Sequence, residues 1–168
     1  MDTLKVMGNY FLQGEHPIEL IKLLATILTA YFTVTWSLKR FLKEKKWEKK
    51  SEAYSRIMEA LHHLKRIQLL YLDDELERTK IDEKKMAEIN LQSKQARNEV
   101  EKYIDIGRYY ISDEAIAALE KMHSVHEECV DEWNSGAAML EELYKKELSA
   151  VKNCLDTIRA IAIKEVHK

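Results

Sequence analysis

Apolar positions follow two different patterns along the chain, and the change from one to the other divides it. From Ile18 to Leu38 apolar residues crowd together, and between Leu23 and Leu38 tyrosine is the only ionisable side chain. At about 1.5 Å per residue that uncharged stretch makes roughly 24 Å of helix. Ile18, Leu20 and Ile21 extend it toward the ~30 Å of a hydrocarbon core, with Lys22 and Arg40 placed to snorkel from its two ends. Trp36 and Phe41 fall near one boundary, where aromatic rings are favoured. The pattern predicts a membrane helix over residues 17–41, opened by Pro17, the sole proline, at a position that suits a helix start.

Further on, apolar positions recur at helical intervals instead. Tyr54, Ile57, Leu61, Leu64, Gln68 and Tyr71 are spaced by threes and fours, the seam of a helix that packs against others. No glycine falls between Glu15 and Ile106, so the first helix is predicted to leave the membrane unbroken and run to about Arg78, with a reversal near Thr79 to Asp82. A second helix follows from about Asp82 to Ile106, burying Ile89, Ala96, Val100 and Tyr103 and stopping at Gly107. Ser112 is the expected N-cap of a third, with Asp113 and Glu114 in its first turn, where acids suit the helix dipole. That helix carries Ile116, Leu119, Met122, Val130 and Trp133, and Asn134-Ser135-Gly136 can turn the chain. A fourth, from about Ala137 to Val166, places Leu140, Tyr144, Leu148, Val151, Leu155, Ile158 and Ala162 on one face. No segment alternates like a strand. The predicted fold is all-α, an N-terminal transmembrane helix continuous with the first helix of a cytosolic antiparallel four-helix bundle. Its parts are a short extracytoplasmic N-terminus (1–16), the transmembrane helix (17–41) and the cytosolic bundle (42–168).

Charge orients this arrangement. The 168 residues have a formal net charge of -2, but Lys39, Arg40, Lys43, Lys45, Lys46, Lys49 and Lys50 face only Glu44 and Glu48 within twelve residues. That local balance of +5 leaves -7 for the remainder, which excludes a generally basic nucleic-acid binder. A cation block directly after an apolar run points to anionic lipid as the partner of Lys39, Lys43, Lys46 and Lys50, and to a cytoplasmic C-terminal side. Asp2, Lys5 and Glu15 do not make a cationic leader, and TWSLKR offers no small-residue cleavage site, so the run is read as a retained single-pass anchor. Cys129 and Cys154, the only cysteines, do not resemble a secreted disulfide framework.

The membrane run is unusually rich in threonine. With about 100° per residue and Lys22 at zero, Thr26, Thr29, Thr33, Ser37 and Arg40 fall within an arc of roughly 80°. Thr35 lies off the stripe, and Leu24, Ile27, Leu28, Tyr31, Val34 and Leu38 cover much of the rest. Such hydroxyls can bond back to their own helix, hydrogen-bond a neighbouring helix, or face water inside a homo-oligomeric ring. In the last case Lys22 and Arg40 would place a cationic ring at each mouth of a hydroxyl-lined pore.

Candidate chemistry elsewhere is sparse. Arg97-Asn98, followed by Tyr103, resembles the Arg-x4–6-His signature of HEPN ribonucleases, with tyrosine where histidine is expected. Tyrosine, with a reference pKa near 10, is a poor proton shuttle at neutral pH. Arg56 with His62 or His63 has a permitted spacing for the same signature. In MHSVHEEC, His123 and Glu127 have the i,i+4 spacing of paired metal ligands, with His126 and Cys129 nearby, but the four do not share one face. No Gly-rich phosphate loop, nucleophile elbow or Cys-x-x-Cys occurs, and neither a cofactor nor a metal is expected.

WSLKRFLKEKKWEKKSEAYSRIMEALHHL (36–64) and YIDIGRYYISDEAIAALEK (103–121) resemble a scattered group of small bacterial single-span helical proteins. One N-terminal span joined to a degenerate HEPN-like bundle is similar to the membrane accessory protein of type VI-B CRISPR systems. That resemblance implies a non-enzymatic, ring-shaped membrane pore that strengthens phage defence, acting downstream of an RNA-guided nuclease.

Overall fold

The structure is a computed structural model that describes residues 16–77 and 81–166. The expected extracytoplasmic segment lies outside the described residues, apart from His16, and so do Thr79 and Lys80 of the expected reversal. The described residues form four α-helices and one 3-10 turn: α1 (His16–Glu77), α2 (Glu83–Ile106), the turn Gly107–Tyr109, α3 (Asp113–Ser135) and α4 (Leu140–Val166). No strand occurs among the described residues.

The helix ends follow local chemistry. Ser112, in an extended conformation, caps α3 by accepting from the Ala115 amide at 3.4 Å. Gly136 ends the same helix at φ 68°, the left-handed region open to glycine. Its amide donates to the Trp133 carbonyl at 3.0 Å, and the Ala137 amide donates to the Glu132 carbonyl at 2.9 Å. This crossed pair of bonds makes a Schellman closure. α4 therefore starts three residues later than the spacing predicts, with the Met139 carbonyl accepting from the Glu142 and Leu143 amides. At the first reversal the Ile81 amide donates to Asp74 Oδ1 at 3.1 Å.

The chain divides into two compact units, one ending at Lys45 and the other beginning at Lys46. In the first, α1 carries large apolar side chains exposed on every side, from Ile18 to Leu42. It is the one described helix long and apolar enough to cross a membrane. Such a surface is stable where the surroundings are themselves apolar.

The second unit is a helical bundle. Ala53, Tyr54, Ile57, Leu61 and Leu64 of α1 meet Ala96, Val100 and Tyr103 of α2, Ile116, Leu119 and Met122 of α3, and Val151, Leu155, Ile158 and Ala162 of α4 in one core. Directions follow from the polar contacts. Tyr54 reaches Glu165 while Gln68 reaches Glu147, so α4 runs antiparallel to α1. His126 meets Glu147 while Cys129 Sγ lies on the Leu143 carbonyl, so α3 and α4 are antiparallel as well. The seam of α3 extends beyond its partners. Cys129 is buried, but Val130 and Trp133, expected on the packed face, are exposed near the end of the helix.

Candidate functional site

Two places in the molecule gather the residues singled out by spacing. The first is the threonine stripe of α1. Lys22, Thr26, Thr29, Thr33, Ser37 and Arg40 are all exposed, as are the apolar residues around them. Thr26 Oγ1 donates to the Lys22 carbonyl at 2.8 Å, Thr29 to Ala25 at 2.7 Å and Thr33 to Thr29 at 2.8 Å. Thr35, off the stripe, donates to the carbonyls of Tyr31 and Phe32. Each of these hydroxyl donors is thus satisfied inside its own helix, which removes most of the cost of placing it in hydrocarbon. The oxygen still has acceptor capacity for water or a neighbouring helix. Arg40 Nε pairs with Glu44 at 2.9 Å on the exposed surface, a contact worth well under about 1 kcal/mol.

The basic block that follows is not uniformly free for lipid. Lys39, Lys43 and Lys46 are exposed. Lys50 instead meets Glu165 at 2.7 Å, and Glu165 also accepts from the Tyr54 hydroxyl at 2.8 Å. Burial pushes the Tyr54 hydroxyl up to about 12, with the Glu165 contact adding to the shift. Burial also pushes Glu165 up, but Lys50 and the neighbouring hydroxyls outweigh it and hold the carboxyl below its usual range.

The second place is a buried carboxylate. Glu147 of α4 accepts from Gln68 Nε2 of α1 and from Arg97 Nη2 of α2 at 3.3 Å, and it bonds His126 Nδ1 of α3. All four helices therefore converge on one side chain, which is 8% exposed. Burial alone would raise the Glu147 carboxyl. The His126 bond and the Arg97 charge together outweigh it and hold the group below the usual carboxylate range. An open groove of about 430 Å³ borders the cluster, lined by Tyr71, Asn90, Arg97, Asn98, His126 and Tyr144 among others. Tyr71 stacks on Tyr144 with ring centroids 5.4 Å apart and donates to Asn90 Oδ1 at 2.6 Å. Gln68 Oε1 is buried there without a partner.

This geometry sorts the remaining candidates. Arg97 and Asn98 share a groove with His126, a histidine of a different helix. Tyr103 lies in the core. Arg56, His62 and His63 are exposed elsewhere. Arg56 pairs with Glu52 at 2.8 Å and shares a separate groove with His63. MHSVHEEC is divided among three surroundings: His123 lies 3.5 Å from Glu127, His126 is on Glu147, and Cys129 is buried. Burial pushes the Cys129 thiol up and the Cys154 thiol up to about 12, which keeps both protonated at neutral pH.

Spacing does not single out Glu147 among the candidate residues. Its signal was its position, three residues after Tyr144 and four before Val151 on the apolar seam of α4, where a carboxylate needs partners.

Fold and sites define an all-helical protein, a bundle with a long apolar helix at its N-terminal side. Compared with known proteins, the chain matches no family model, no curated protein and no solved structure.

Proposed function

We propose that the chain is a single-pass protein of the bacterial inner membrane, with its bundle in the cytoplasm, whose copies assemble into a pore around the stripe of α1. In this reading it is a non-enzymatic accessory effector of antiphage defence. Opening the pore dissipates the membrane potential when an upstream RNA-guided nuclease system signals infection. One observation carries the reading: Lys22, Thr26, Thr29, Thr33, Ser37 and Arg40 share one exposed arc of the apolar segment of α1, whose large apolar side chains are exposed as well. Back-bonded hydroxyls let that arc cross lipid in a single chain, and their free acceptor capacity suits a wet lumen once several chains meet. The basic block supports the cytoplasmic side, and Lys22 and Arg40 bias conduction toward anions.

Full-length protein in liposomes, assayed for chloride flux beside its Thr29→Leu/Thr33→Leu variant, tests the lining. The variant is expected to lose flux while native mass spectrometry shows the same oligomer. Unchanged flux rejects the assignment, and a monomer in both forms leaves an anchored scaffold.

A second reading, a membrane-tethered HEPN-like ribonuclease or RNA binder, is favoured by the shared groove of Arg97, Asn98 and His126. It requires RNA cleavage or binding by the full chain that is lost on His126→Ala and retained on His62→Ala and His63→Ala.

A further inference from the structure

The corner between α2 and α3 presents its apolar surface in an unusual way. Tyr109 is 82% exposed, with Ile106 and Tyr110 also among the exposed large side chains, while the residues on either side of the corner are anchored in the core. Tyr103 and Ile111 are buried, and the Gly107 carbonyl accepts from both the Tyr110 and Ile111 amides, at 2.7 and 2.8 Å. A side chain at position 107 would meet Ile111 Cδ1 at 3.1 Å, so the backbone is packed tightly there. The rings thus sit on a rigid platform, and their exposure is built into the fold.

The position of this platform in the bundle suggests what covers it. Lys49 Nζ lies 6.0 Å from the centre of the Tyr110 ring, Lys50 pairs with Glu165, and Tyr54 OH lies 3.4 Å from the Ser112 amide. The corner therefore sits at the end of the bundle that begins at Lys46, where the chain arrives from the apolar segment. Chain connectivity alone makes that end the one nearest the bilayer if α1 spans it. Across IGRYYIS (106–112) the only charge is Arg108, which is exposed, as is Lys46. Asp105 and Asp113 flank the stretch, so its attraction to a membrane comes mainly from its rings. Tyrosine at a bilayer surface places its ring among acyl-chain ends and its hydroxyl among headgroups.

We infer that Ile106, Tyr109 and Tyr110 form a second membrane contact, which seats the bundle on the phospholipid headgroup layer beside the span. This rests on the membrane reading of α1.

The test uses full-length protein in nanodiscs of phosphatidylcholine and phosphatidylglycerol. Tyr109→Trp, in a background of Trp36→Phe, Trp47→Phe and Trp133→Phe, keeps an interfacial aromatic ring and makes it the only tryptophan. Its emission should shift to the blue and be lost when lipids carry a headgroup nitroxide. Met139→Trp in the same background is the control. It lies past the end of α3, whose 23 residues carry the chain about 35 Å from the corner, and its emission should be unaffected. Equal quenching at the two positions overturns the inference.

Hydroxyl-radical footprinting of the unsubstituted chain in nanodiscs gives an independent measure, with each residue normalised to its rate in the unfolded chain. Tyr109 should be protected and Met139, 77% exposed, should not. Protection of Tyr109 without nitroxide quenching means that protein covers the corner, which also overturns the inference. Co-flotation with lipid after carbonate washing is read first: a chain that washes off refutes the span itself, whereas an inserted chain with an unquenched Tyr109→Trp refutes only the contact.

Discussion

Replacing Glu147 by alanine probes a point where all four helices meet through polar groups. The loss can be worked out from the three partners left behind. Gln68 is 1% exposed, so its amide nitrogen would be left buried without an acceptor, at a cost of about 1–3 kcal/mol. The Arg97 and His126 side chains are 19% and 26% exposed. They can turn partly to water, and the ~3–5 kcal/mol typical of breaking a fully buried ion pair must be discounted accordingly. The gain from removing a carboxylate whose burial opposes its own charge offsets a further part. A net destabilisation of about 2–3 kcal/mol follows, or roughly 10 °C in Tm for a unit of this size.

The pH dependence supplies a second signature. The folded state holds the Glu147 carboxyl below its usual range. Its contribution is therefore present above the unfolded value of about 4.3 and is lost as pH falls through the depressed folded one. Urea unfolding of the full chain in detergent micelles, followed by near-ultraviolet circular dichroism from pH 7 to 3, reads both effects. Glu147→Ala should unfold at lower urea at pH 7, and the gap should narrow toward pH 3. A gap below about 0.5 kcal/mol at pH 7, or one that does not change with pH, would show that the cluster is not a stabilising ion network.

Other substitutions test separate parts of the argument by the same unfolding assay. Gly136→Ala meets no atom within 4 Å, so it isolates the backbone cost of φ 68°, expected at about 1 kcal/mol. Leu61→Ala removes a fully buried side chain of α1 and should cost about 3 kcal/mol through lost contacts and the cavity left behind. Tyr54→Phe should cost about 1 kcal/mol at pH 7 by deleting the bond to Glu165. Because the folded state raises the Tyr54 hydroxyl to about 12, the wild type should lose stability between about pH 10 and 12. The Phe variant should be less sensitive across that window, as spectrophotometric titration alongside unfolding will show.

Much of the fold was legible before any contact was known. Ser112 and Gly136 mark the ends of α3 through their own backbone chemistry, and the seam of α1 from Tyr54 to Gln68 is the buried face observed. Val130 and Trp133 show the limit of such reasoning, because periodicity says which side of a helix is apolar but not how far along it a partner extends. The candidate sites were legible only in part. Arg97 and Asn98 were visible as a motif. The histidine that shares their groove belongs to α3, and the expected position in α2 holds Tyr103, which is packed in the core.

Sequence alone determined what depends on neighbours within a turn or two: helix rather than strand, the caps, the uncharged apolar run and the single arc on which its hydroxyls lie. These follow from side-chain periodicity and backbone stereochemistry, both of which act over a few residues. Tertiary structure decided what depends on the register between helices. It brought Arg97, His126 and Gln68 to Glu147 across separations of 50, 21 and 79 residues, tied Lys50 to Glu165, and left Tyr109 facing outward. A shift of one turn, about 5.4 Å, would separate every one of those pairs while leaving each helix unchanged.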